Sequence, residues 1–374
     1  MKRRAARRVM VGRVAIGGDS PISVQTMTKT DTRDVPATLT EIRRLAEAGA
    51  DLIRLAVPDP EAVEALRALV RGSPVPLVAD IHFDYRLAIG ALRAGVQKLR
   101  INPGNIGGPD RVRAVAAAAK ERGVPIRIGV NAGSLEDRLI DKYGGPTPEA
   151  MVESALGQAA LLEDLGFTDI VISLKASDVR RTVEAYRLVA NRCNYPLHLG
   201  VTEAGGLVPG TVKSAIGLGI LLTEGIGDTL RVSLTDDSEL EVRAGFEILR
   251  ALDLRLTGPE IISCPTCGRC QVDLAKVVRD VEAGLRDLRF PVRVAVMGCA
   301  VNGPGEAREA DVGVAAGKGG GLLFRTGRVI GRVSEGDLAR ALVEEVRRVA
   351  AERGGLTAPS ASATIESGGV QKGQ

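Results

Sequence analysis

Tryptophan is absent from this 374-residue chain, and aromatic residues make up only 2% of it. Proteins that bind single-stranded nucleic acids use aromatic side chains as stacking platforms for the bases. The formal net charge is only +4, and the charged residues are spread along the chain rather than gathered in blocks. The composition therefore argues against a nucleic-acid-binding protein.

Long apolar runs are also missing. No stretch approaches the roughly eighteen residues that a membrane-spanning helix needs. The chain begins with basic residues at 2–4 and 7–8, but the apolar stretch after them is short and is interrupted by Arg13. This start lacks the pattern of a secretory signal peptide. We therefore expect a soluble, cytoplasmic protein with no membrane partner.

Cysteine is scarce, yet four of the five cysteines fall in two short segments. Cys264, Cys267 and Cys270 have CxxCxxC spacing, and Cys299 follows about thirty residues later. In a reducing compartment, clustered cysteines indicate a metal site rather than disulfides. The spacing suits an iron–sulfur cluster and also a structural zinc site. Cys193 lies far from both segments and is predicted to be a buried packing residue.

The surroundings of Cys299 favour iron over zinc. This cysteine lies in a loop rich in glycine and proline, and Glu306 follows it by seven residues. A structural zinc site with four N or S ligands gains nothing from a nearby carboxylate. A cluster with three thiolates and one labile oxygen ligand, in contrast, keeps an iron available to substrate. Spacing alone would make Cys270 the fourth ligand, so Cys270 and Glu306 both remain candidates.

The preceding part of the chain repeats one unit with a period of roughly thirty residues. Short β-rich runs end in polar residues and are followed by helical stretches such as 37–48, 61–71 and 150–165. The predicted strands are 22–26, 52–56, 77–81, 98–102, 126–131, 170–175, 197–202 and 230–234. Eight such β/α units predict an α/β fold, a (β/α)8 TIM barrel. A doubly wound sheet is the alternative, but no glycine-rich dinucleotide-binding motif follows the first strand.

The repeat stops at Gly258 and Pro259. Residues 1–257 are therefore predicted to form the barrel domain, with an N-terminal hairpin at 9–18. A smaller α+β domain that carries the clustered cysteines is predicted over 258–355. Its predicted strands and helices are 260–263, 272–286, 292–296, 311–333 and 335–353. The tail, 356–374, is rich in Ser, Gly, Ala and Thr without periodicity, and we expect it to be disordered.

The barrel prediction brings basic residues together, because TIM-barrel active sites lie where the strands end. Several buried guanidinium groups are costly unless an anion neutralises them, and arginine is suited to a bidentate grip on phosphate oxygens. A single arginine could instead pair with a carboxylate such as Asp51 or Asp80. The predicted ligands of a diphosphate-like anion are Arg54, Arg100, Asn102, Arg127, Asn131, Lys175, Arg231 and Ser233.

His82 and Glu203 lie near the same strand ends, and the second histidine, His198, does not. His82 follows the third strand and could contact substrate, donate a proton or be purely structural. Glu203 follows the seventh strand, where it could be a counter-ion or a proton donor to a leaving hydroxyl; we favour the catalytic role. His198 begins a strand and is predicted to be packed and hydrogen-bonded.

Four segments of the sequence resemble a single family. The most specific is MGCAVNGPGEA at 297–307, and CPTC at 264–267, PISVQTMT at 21–28 and KLRINPGN at 98–105 agree with it. These segments are similar to the 4-hydroxy-3-methylbut-2-enyl diphosphate synthases, the cluster enzymes of the non-mevalonate isoprenoid pathway. The likeness covers most of the chain.

The resemblance implies a ligand set for the metal site. In the family, three cysteines and a glutamate hold a 4Fe–4S cluster, and they correspond here to Cys264, Cys267, Cys299 and Glu306. The family needs no thiol at the position of Cys270. Its second domain is expected to resemble the cluster domains of sulfite and nitrite reductases, and its substrate ligands match the barrel residues named above.

The resemblance also implies a reaction and partners. The substrate would be 2-C-methyl-D-erythritol 2,4-cyclodiphosphate, reduced by two electrons, opened and dehydrated to (E)-4-hydroxy-3-methylbut-2-enyl diphosphate. No nicotinamide or flavin motif is visible, so reduced flavodoxin or ferredoxin is the implied electron donor. A head-to-tail homodimer would place the cluster of one chain over the barrel of the other.

Other classes of protein have distinct requirements. A sulfite- or nitrite-reductase-like enzyme would need a sirohaem, and a pterin-type barrel transferase with a structural metal would carry zinc without sulfide. A simple electron carrier would have no use for a cationic barrel mouth.

Overall fold

A computed structural model of the chain describes residues 2–101, 106–299, 305 and 309–354. The chain divides into two compact units, Met1–Arg255 and Leu256–Gln374. The first contains the β/α repeats and the second the clustered cysteines. Within the described residues, no helix combines the length and the apolar character needed to cross a membrane.

The first unit is a parallel eight-stranded sheet that closes on itself. Neighbouring strands pair in chain order, and a parallel bridge between Ile172 and Leu197 closes the ring. The strands are β3 (Ser23–Met27), β4 (Leu52–Ala56), β5 (Leu77–Asp80), β6 (Lys98–Ile101), β7 (Ile126–Asn131), β8 (Ile170–Lys175), β9 (His198–Leu199) and β10 (Thr229–Leu230). This arrangement confirms the predicted TIM barrel.

Helices alternate with these strands, and several begin at an aspartate cap. The Asp59 carboxylate accepts a hydrogen bond from the Ala62 amide at 2.8 Å, and Pro60 follows it as the first helical residue, a favourable N-terminal combination. The helices are α1 (Val35–Glu47), α2 (Pro60–Gly72), α3 (Tyr85–Ala94), α4 (Pro109–Arg122), α5 (Asp137–Tyr143), α6 (Pro148–Glu163), α7 (Val179–Ala190), α8 (Leu207–Thr223) and α9 (Ser238–Ala251).

Alternation along each strand divides the barrel residues into two sets. Ile53 and Leu55 pack in the core between the strands and the helices, so Leu52 and Arg54 face the barrel interior. The interior is apolar at its floor, where Leu52 and Val78 pack against Val11 and Ile16. The latter two belong to the predicted N-terminal hairpin, β1 (Val9–Val11) and β2 (Val14–Ile16). Above the floor the inward-facing side chains are mostly polar.

The last two barrel strands are shorter than the predicted 197–202 and 230–234, and the predicted bounds are wrong there. Regular pairing covers only His198–Leu199 and Thr229–Leu230. Beyond Arg231, whose amide still bonds the Leu199 carbonyl, the backbone turns to side-chain partners. The Leu234 amide donates to the Glu241 carboxylate at 3.0 Å, so this segment leaves the sheet and forms part of the mouth.

The second unit is a five-stranded mixed sheet in the order β11-β12-β13-β14-β15. The first three strands are parallel and the last two are antiparallel to their neighbours. The residues that follow β11 and β12 carry the cysteines, and parallel strands bring both segments to one edge. The elements are β11 (Glu260–Ser263), α10 (Leu274–Gly284), β12 (Arg293–Met297), β13 (Val312–Gly317), β14 (Gly320–Arg325), β15 (Arg328–Ser334) and α11 (Leu338–Glu352).

Candidate active site

Asp80 anchors two arginines at the barrel mouth. Its carboxylate accepts a hydrogen bond from Arg100 Nη1 at 3.1 Å and lies 3.6 Å from Arg54 Nε. Burial disfavours the ionised carboxylate, yet Arg54, His82 and Arg100 together hold the pKa of Asp80 well below its usual range. Asp80 is therefore a permanent anion, and it faces two guanidinium groups. Asp51, the other carboxylate considered from sequence, instead pairs with Arg255.

Arg231 is held by a carboxylate from the following helix. Glu241 on α9 accepts from Arg231 Nε and Nη2, each at 3.1 Å. The Glu241 side chain is fully buried, and it also accepts from the Thr26 hydroxyl at 2.8 Å. A bidentate guanidinium–carboxylate pair has a fixed geometry. Arg231 is therefore oriented before any ligand arrives.

A methionine sulfur lies beside two of these arginines. Met27 Sδ accepts from Arg54 Nε and Nη2 at 3.1 and 2.9 Å, and Arg231 Nη1 lies 3.8 Å away. Burial lowers the pKa of Arg54 to about 10, although the neighbouring Asp80 opposes that shift. A thioether is neutral and a weak acceptor, so it adds no negative charge. Apart from Asp80 and Glu241, the sulfur therefore leaves the two guanidinium groups without a further negative neighbour on this side among the described residues.

Three further cations are buried with no carboxylate partner in the part of the chain that the structure describes. Lys98, Arg127 and Lys175 are 0%, 1% and 6% exposed. Lys98 Nζ and two nitrogens of Arg127 have no hydrogen-bond partner there. Burial, and next the charges of neighbouring cations, lower the pKa of all three well below their usual values. Unpaired buried cations are costly, and an incoming anion would relieve that cost.

Two glycines provide the space for these cationic groups. A Cβ on Gly129 would lie 2.4 Å from Arg100 Nε, and a Cβ on Gly200 would lie 2.5 Å from Lys175 Nζ. Gly129 lies on β7 and Gly200 directly follows β9, so the two glycines flank β8. The absent side chains therefore let long cationic side chains fold across the barrel beneath its mouth.

The remaining predicted barrel residues surround this layer. The His82 ring lies within 3.3 Å of Arg100 Nη1 and its Nε2 lies 3.5 Å from Asp80, which places it at the mouth. Asn131 ends β7, and Ser233 follows Arg231 on the same side of the chain. Asn102 and Glu306 both lie outside the described residues.

Glu203 stands out by its backbone. It is exposed, and its φ of +52° lies in the left-handed region, which costs a non-glycine residue roughly 1 kcal/mol or more. It belongs to the loop between β9 and α8. Strained residues of this kind cluster at functional sites, so the conformation motivates the catalytic prediction without testing it.

In the second unit, two thiols converge on one backbone position. A Cβ on Gly298 would lie 2.5 Å from Cys270 Sγ and 3.5 Å from Cys264 Sγ. The Gly298 amide points at Cys264 Sγ, 3.4 Å away. Cys267 is exposed, and Thr266 before it has a φ of +57°. Among residues 256–299, 305 and 309–354, no three potential ligands meet in a metal-binding arrangement.

Comparison with known proteins identifies the family. The family model described as the GcpE TIM-barrel domain matches residues 6–246, and the model of the GcpE protein C-terminal domain matches residues 260–348. A protein of Geobacter sulfurreducens, named 4-hydroxy-3-methylbut-2-en-1-yl diphosphate synthase (flavodoxin), is 61% identical over 93% of this chain and 98% of its own length. The chain belongs to this synthase family.

Other relatives carry the same name. The protein of Lawsonia intracellularis is 57% identical over 94% of this chain and 98% of its own length. Among solved structures, the dihydropteroate synthase of Stenotrophomonas maltophilia matches with a TM-score of 0.50 at 15% identity, covering 66% of this chain and 98% of that one. At that identity the likeness extends to the fold alone. Membership of the synthase family confirms the resemblance found in the sequence.

Sequence reasoning missed three parts of this site. Lys98 lies two residues before Arg100 on the same strand. Strand alternation could therefore have predicted that its side chain also faces the barrel interior. Glu241 gave no signal, because its pairing with Arg231 depends on how α9 packs behind the barrel. His198 is fully buried as predicted, but the predicted hydrogen bonding is wrong, because neither ring nitrogen has a partner among the described residues.

The space beside Arg100 leads to the first prediction. Gly129→Ala should displace the Arg100 guanidinium and raise the KM for substrate about tenfold, since small misplacements in a site carry large penalties. The fold should tolerate the change, because the clash falls on the end of a flexible side chain. Gly133→Ala is the control, because a Cβ there meets nothing within 4 Å. An equal KM for both variants would contradict the account.

Asp80 leads to a second prediction, about stability. Asp80→Asn should lower the free energy of unfolding by about 3 kcal/mol, because two buried guanidinium groups lose their counter-ion. The folded pKa of Asp80 is lowered, so its contribution is complete above the ordinary value of about 3.9 and is lost only as the pH falls through the lower folded value. Urea unfolding should therefore give the same gap at pH 5 and pH 8. A gap that closes between those values would contradict the assignment.

Proposed function

We propose that this chain catalyses the two-electron reductive ring opening and dehydration of 2-C-methyl-D-erythritol 2,4-cyclodiphosphate to (E)-4-hydroxy-3-methylbut-2-enyl diphosphate. One observation carries the proposal: Arg127 and Lys175 are buried in the barrel with Arg54, Arg100 and Arg231, and neither has a carboxylate partner among the described residues. Such a layer suits a multiply charged anion. The names of the relatives support the same reaction.

The cysteine edge of the second unit fits an iron–sulfur cluster by its donor chemistry. Cys264 and Cys270 present sulfur over a glycine, and a backbone N–H points at one of those sulfurs, as in sites where hydrogen bonds tune a cluster. Cys264, Cys267, Cys299 and Glu306 would hold a 4Fe–4S cluster, with Cys270 as the rival to Glu306. When bound, the cluster supplies the electrons of the reaction.

The barrel residues bind and polarise the substrate. Arg54, Arg100, Arg127, Lys175 and Arg231 bind the diphosphate and stabilise the charge that develops on the oxygen released as the ring opens. Asn102, Asn131 and Ser233 complete its hydrogen bonds. Asp80 and Glu241 are already paired, so they hold the cations in place without competing for all their donors.

Two residues at the barrel mouth, Glu203 and His82, serve proton transfer and positioning. Glu203, an exposed residue of the loop between β9 and α8 with a left-handed backbone, protonates the hydroxyl that leaves as water. His82 orients Asp80 and Arg100 and contacts the substrate. Two electrons and one proton enter for each water released. The electron donor is reduced flavodoxin, which the names of the relatives support, or ferredoxin.

A homodimer is the proposed assembly, with the cluster of one chain serving the barrel of the other. Helix α8 carries an exposed apolar stripe at four-residue spacing, formed by Val208, Val212, Ile216 and Ile220. A second copy of the chain would cover such a stripe. Mixed dimers of a Cys264→Ser chain and an Arg100→Met chain should recover activity that neither has alone. Failure to complement in verified mixed dimers would contradict the shared site.

The reaction is tested on anaerobically purified protein. Iron, sulfide and zinc analysis should give about four irons and four sulfides for each chain, with no zinc and no sirohaem absorption. With reduced flavodoxin, the protein should convert the cyclic diphosphate to the open allylic diphosphate, detected by mass spectrometry. Zinc without sulfide would favour the barrel transferase, and a sirohaem would favour the reductase class.

A further inference from the structure

The sheet of the second unit has a one-sided charge distribution. Residues 312–334, which form β13, β14 and β15 with their turns, include four basic residues and no acidic one. Lys318 lies in the first turn, Arg325 ends β14, and Arg328 and Arg332 lie on β15. An uninterrupted basic edge of this kind attracts an acidic partner over long range.

These four basic residues differ in whether they form ion pairs within the unit. Arg325 is neutralised by Glu345 and Glu352 on α11. In contrast, Lys318, Arg328 and Arg332 are exposed and have no ion pair within the described residues. Arg269, between Cys267 and Cys270, is also exposed and has no ion pair within the described residues. Exposed cations without an ion pair in the described residues are available to bind a partner protein.

Apolar side chains lie among these charges. Val329 and Ile330, consecutive residues of β15, are 54% and 45% exposed. β15 is the last strand of the sheet, so its outer edge has no neighbour in the described chain. Transient protein–protein interfaces combine a small apolar centre with a polar or charged rim. We call Lys318, Arg328, Val329, Ile330 and Arg332 the basic edge.

Sheet topology places part of the basic edge beside the cysteines. β13 runs parallel to β12, so the turn at Lys318 lies at the same end of the sheet as the segment that follows β12 and contains Cys299. Neighbouring strands are about 5 Å apart. Arg269 lies within the cysteine segment itself. The Lys318 and Arg332 end of the basic edge therefore lies on the cysteine side of the sheet, and Arg328 and Val329 lie toward the opposite end.

We propose that the basic edge is the docking surface for an acidic one-electron carrier protein. This inference rests on the proposed function. At each encounter the reduced carrier loses one electron and the cluster gains it, and two encounters supply the two electrons of one turnover. Lys318 and Arg332 bind the acidic rim of the carrier toward the cysteine end of the sheet, while Val329 and Ile330 form the apolar contact toward the other end of β15. An acidic carrier suits this surface better than a second copy, because two copies would oppose like charges.

The test uses the cluster-loaded enzyme with Lys318→Glu and Arg332→Glu combined. Two readouts are needed: the Kd for oxidised flavodoxin by titration at low salt, and turnover with either flavodoxin or a reduced viologen dye. We expect the Kd to rise at least about tenfold and its salt dependence to flatten. Turnover with the viologen should be unchanged, because a small reductant needs no docking surface.

The matched control carries the same charge change elsewhere in the unit. Arg279→Glu with Arg286→Glu alters two exposed cations on and after α10 that have no ion pair in the described residues. This control should bind flavodoxin as the wild type does. Equal Kd values for the two double variants, or a changed oligomeric state in the first, would overturn the docking surface. A wild-type enzyme without viologen-driven turnover would instead overturn the proposed function.

Discussion

Replacing Lys175 with methionine is expected to stabilise the protein and to remove most of its activity. The ammonium group is buried without a carboxylate partner among the described residues, and replacing a buried ion by an apolar side chain of similar shape can stabilise by about 2 kcal/mol. The same group is proposed to bind the diphosphate. Losing one such donor in a closed site lowers kcat/KM about 10²- to 10³-fold.

The pH dependence of the free energy of unfolding tests the burial of the Lys175 ammonium group independently. Burial, followed by repulsion from Arg127 and Arg54, lowers its folded pKa well below the ordinary value. Between that lowered value and about 10.4, the unfolded chain binds more protons than the folded one, so wild-type stability rises with pH. Urea unfolding of the Lys175→Met variant should lack this rise. A variant less stable than the wild type at pH 7 would contradict the account.

Lys98→Met is the control for the functional part of this prediction. Lys98 is equally buried and its Nζ also lacks a partner among the described residues. It lies two residues before Arg100 on the same strand, farther from the mouth. The variant should gain similar stability while keeping kcat/KM within about tenfold of the wild type, because Lys98 is not a proposed ligand. Equal losses of activity in both variants would mean that the cations act only as a group.

The second large effect is expected at the cysteine edge. Cys264→Ser should abolish reductive turnover and lower bound iron and sulfide to a small fraction of the wild-type content, because thiolate ligands hold clusters of this kind. Cys193→Ser is the control. Cys193 packs against the barrel core, and burial raises the pKa of its thiol, so losing it should change neither iron content nor turnover. Iron retained in full after Cys264→Ser would contradict the ligand set.

Cys270 and Glu306 distinguish two forms of that site. Both Cys264 and Cys270 lie against Gly298, so geometry alone does not favour Glu306, which lies outside the described residues. A cluster that survives Cys270→Ser, with turnover lost in Glu306→Ala, is the expected result from the family resemblance. A cluster lost with Cys270 and indifferent to Glu306 would mean an all-thiolate centre.

The barrel could be predicted from sequence because its signal is local. Runs such as 126–131 and 170–175 alternate with amphipathic helices, and the structure has strands at those residues. The ends of the seventh and eighth strands could not be predicted, because the Leu234 amide bonds the distant Glu241 carboxylate rather than a strand neighbour.

The proposed substrate ligands could be predicted from the sequence, but the residues that position them could not. Arg100 and Lys175 could be predicted from strand alternation and from their position near a strand end. Gly129 and Gly200 matter only because the closed barrel places the side chains of Arg100 and Lys175 beside them. Asp51 and Asp80 looked equivalent as arginine partners in the sequence. Asp51 precedes β4, where it meets Arg255, while Asp80 ends β5 at the mouth. The end of the strand at which each carboxylate lies decided between them.

The central claim is that the cationic barrel and the cysteine edge act in a single reduction. The most direct measurement is a single turnover, in which enzyme reduced without any carrier is mixed anaerobically with the cyclic diphosphate and the products are counted. The account predicts one open allylic diphosphate for every two electrons lost by the enzyme, formed about 10²- to 10³-fold more slowly by the Lys175→Met variant at the same subsaturating substrate concentration. Reduced enzyme that binds the cyclic diphosphate but keeps its electrons would contradict it.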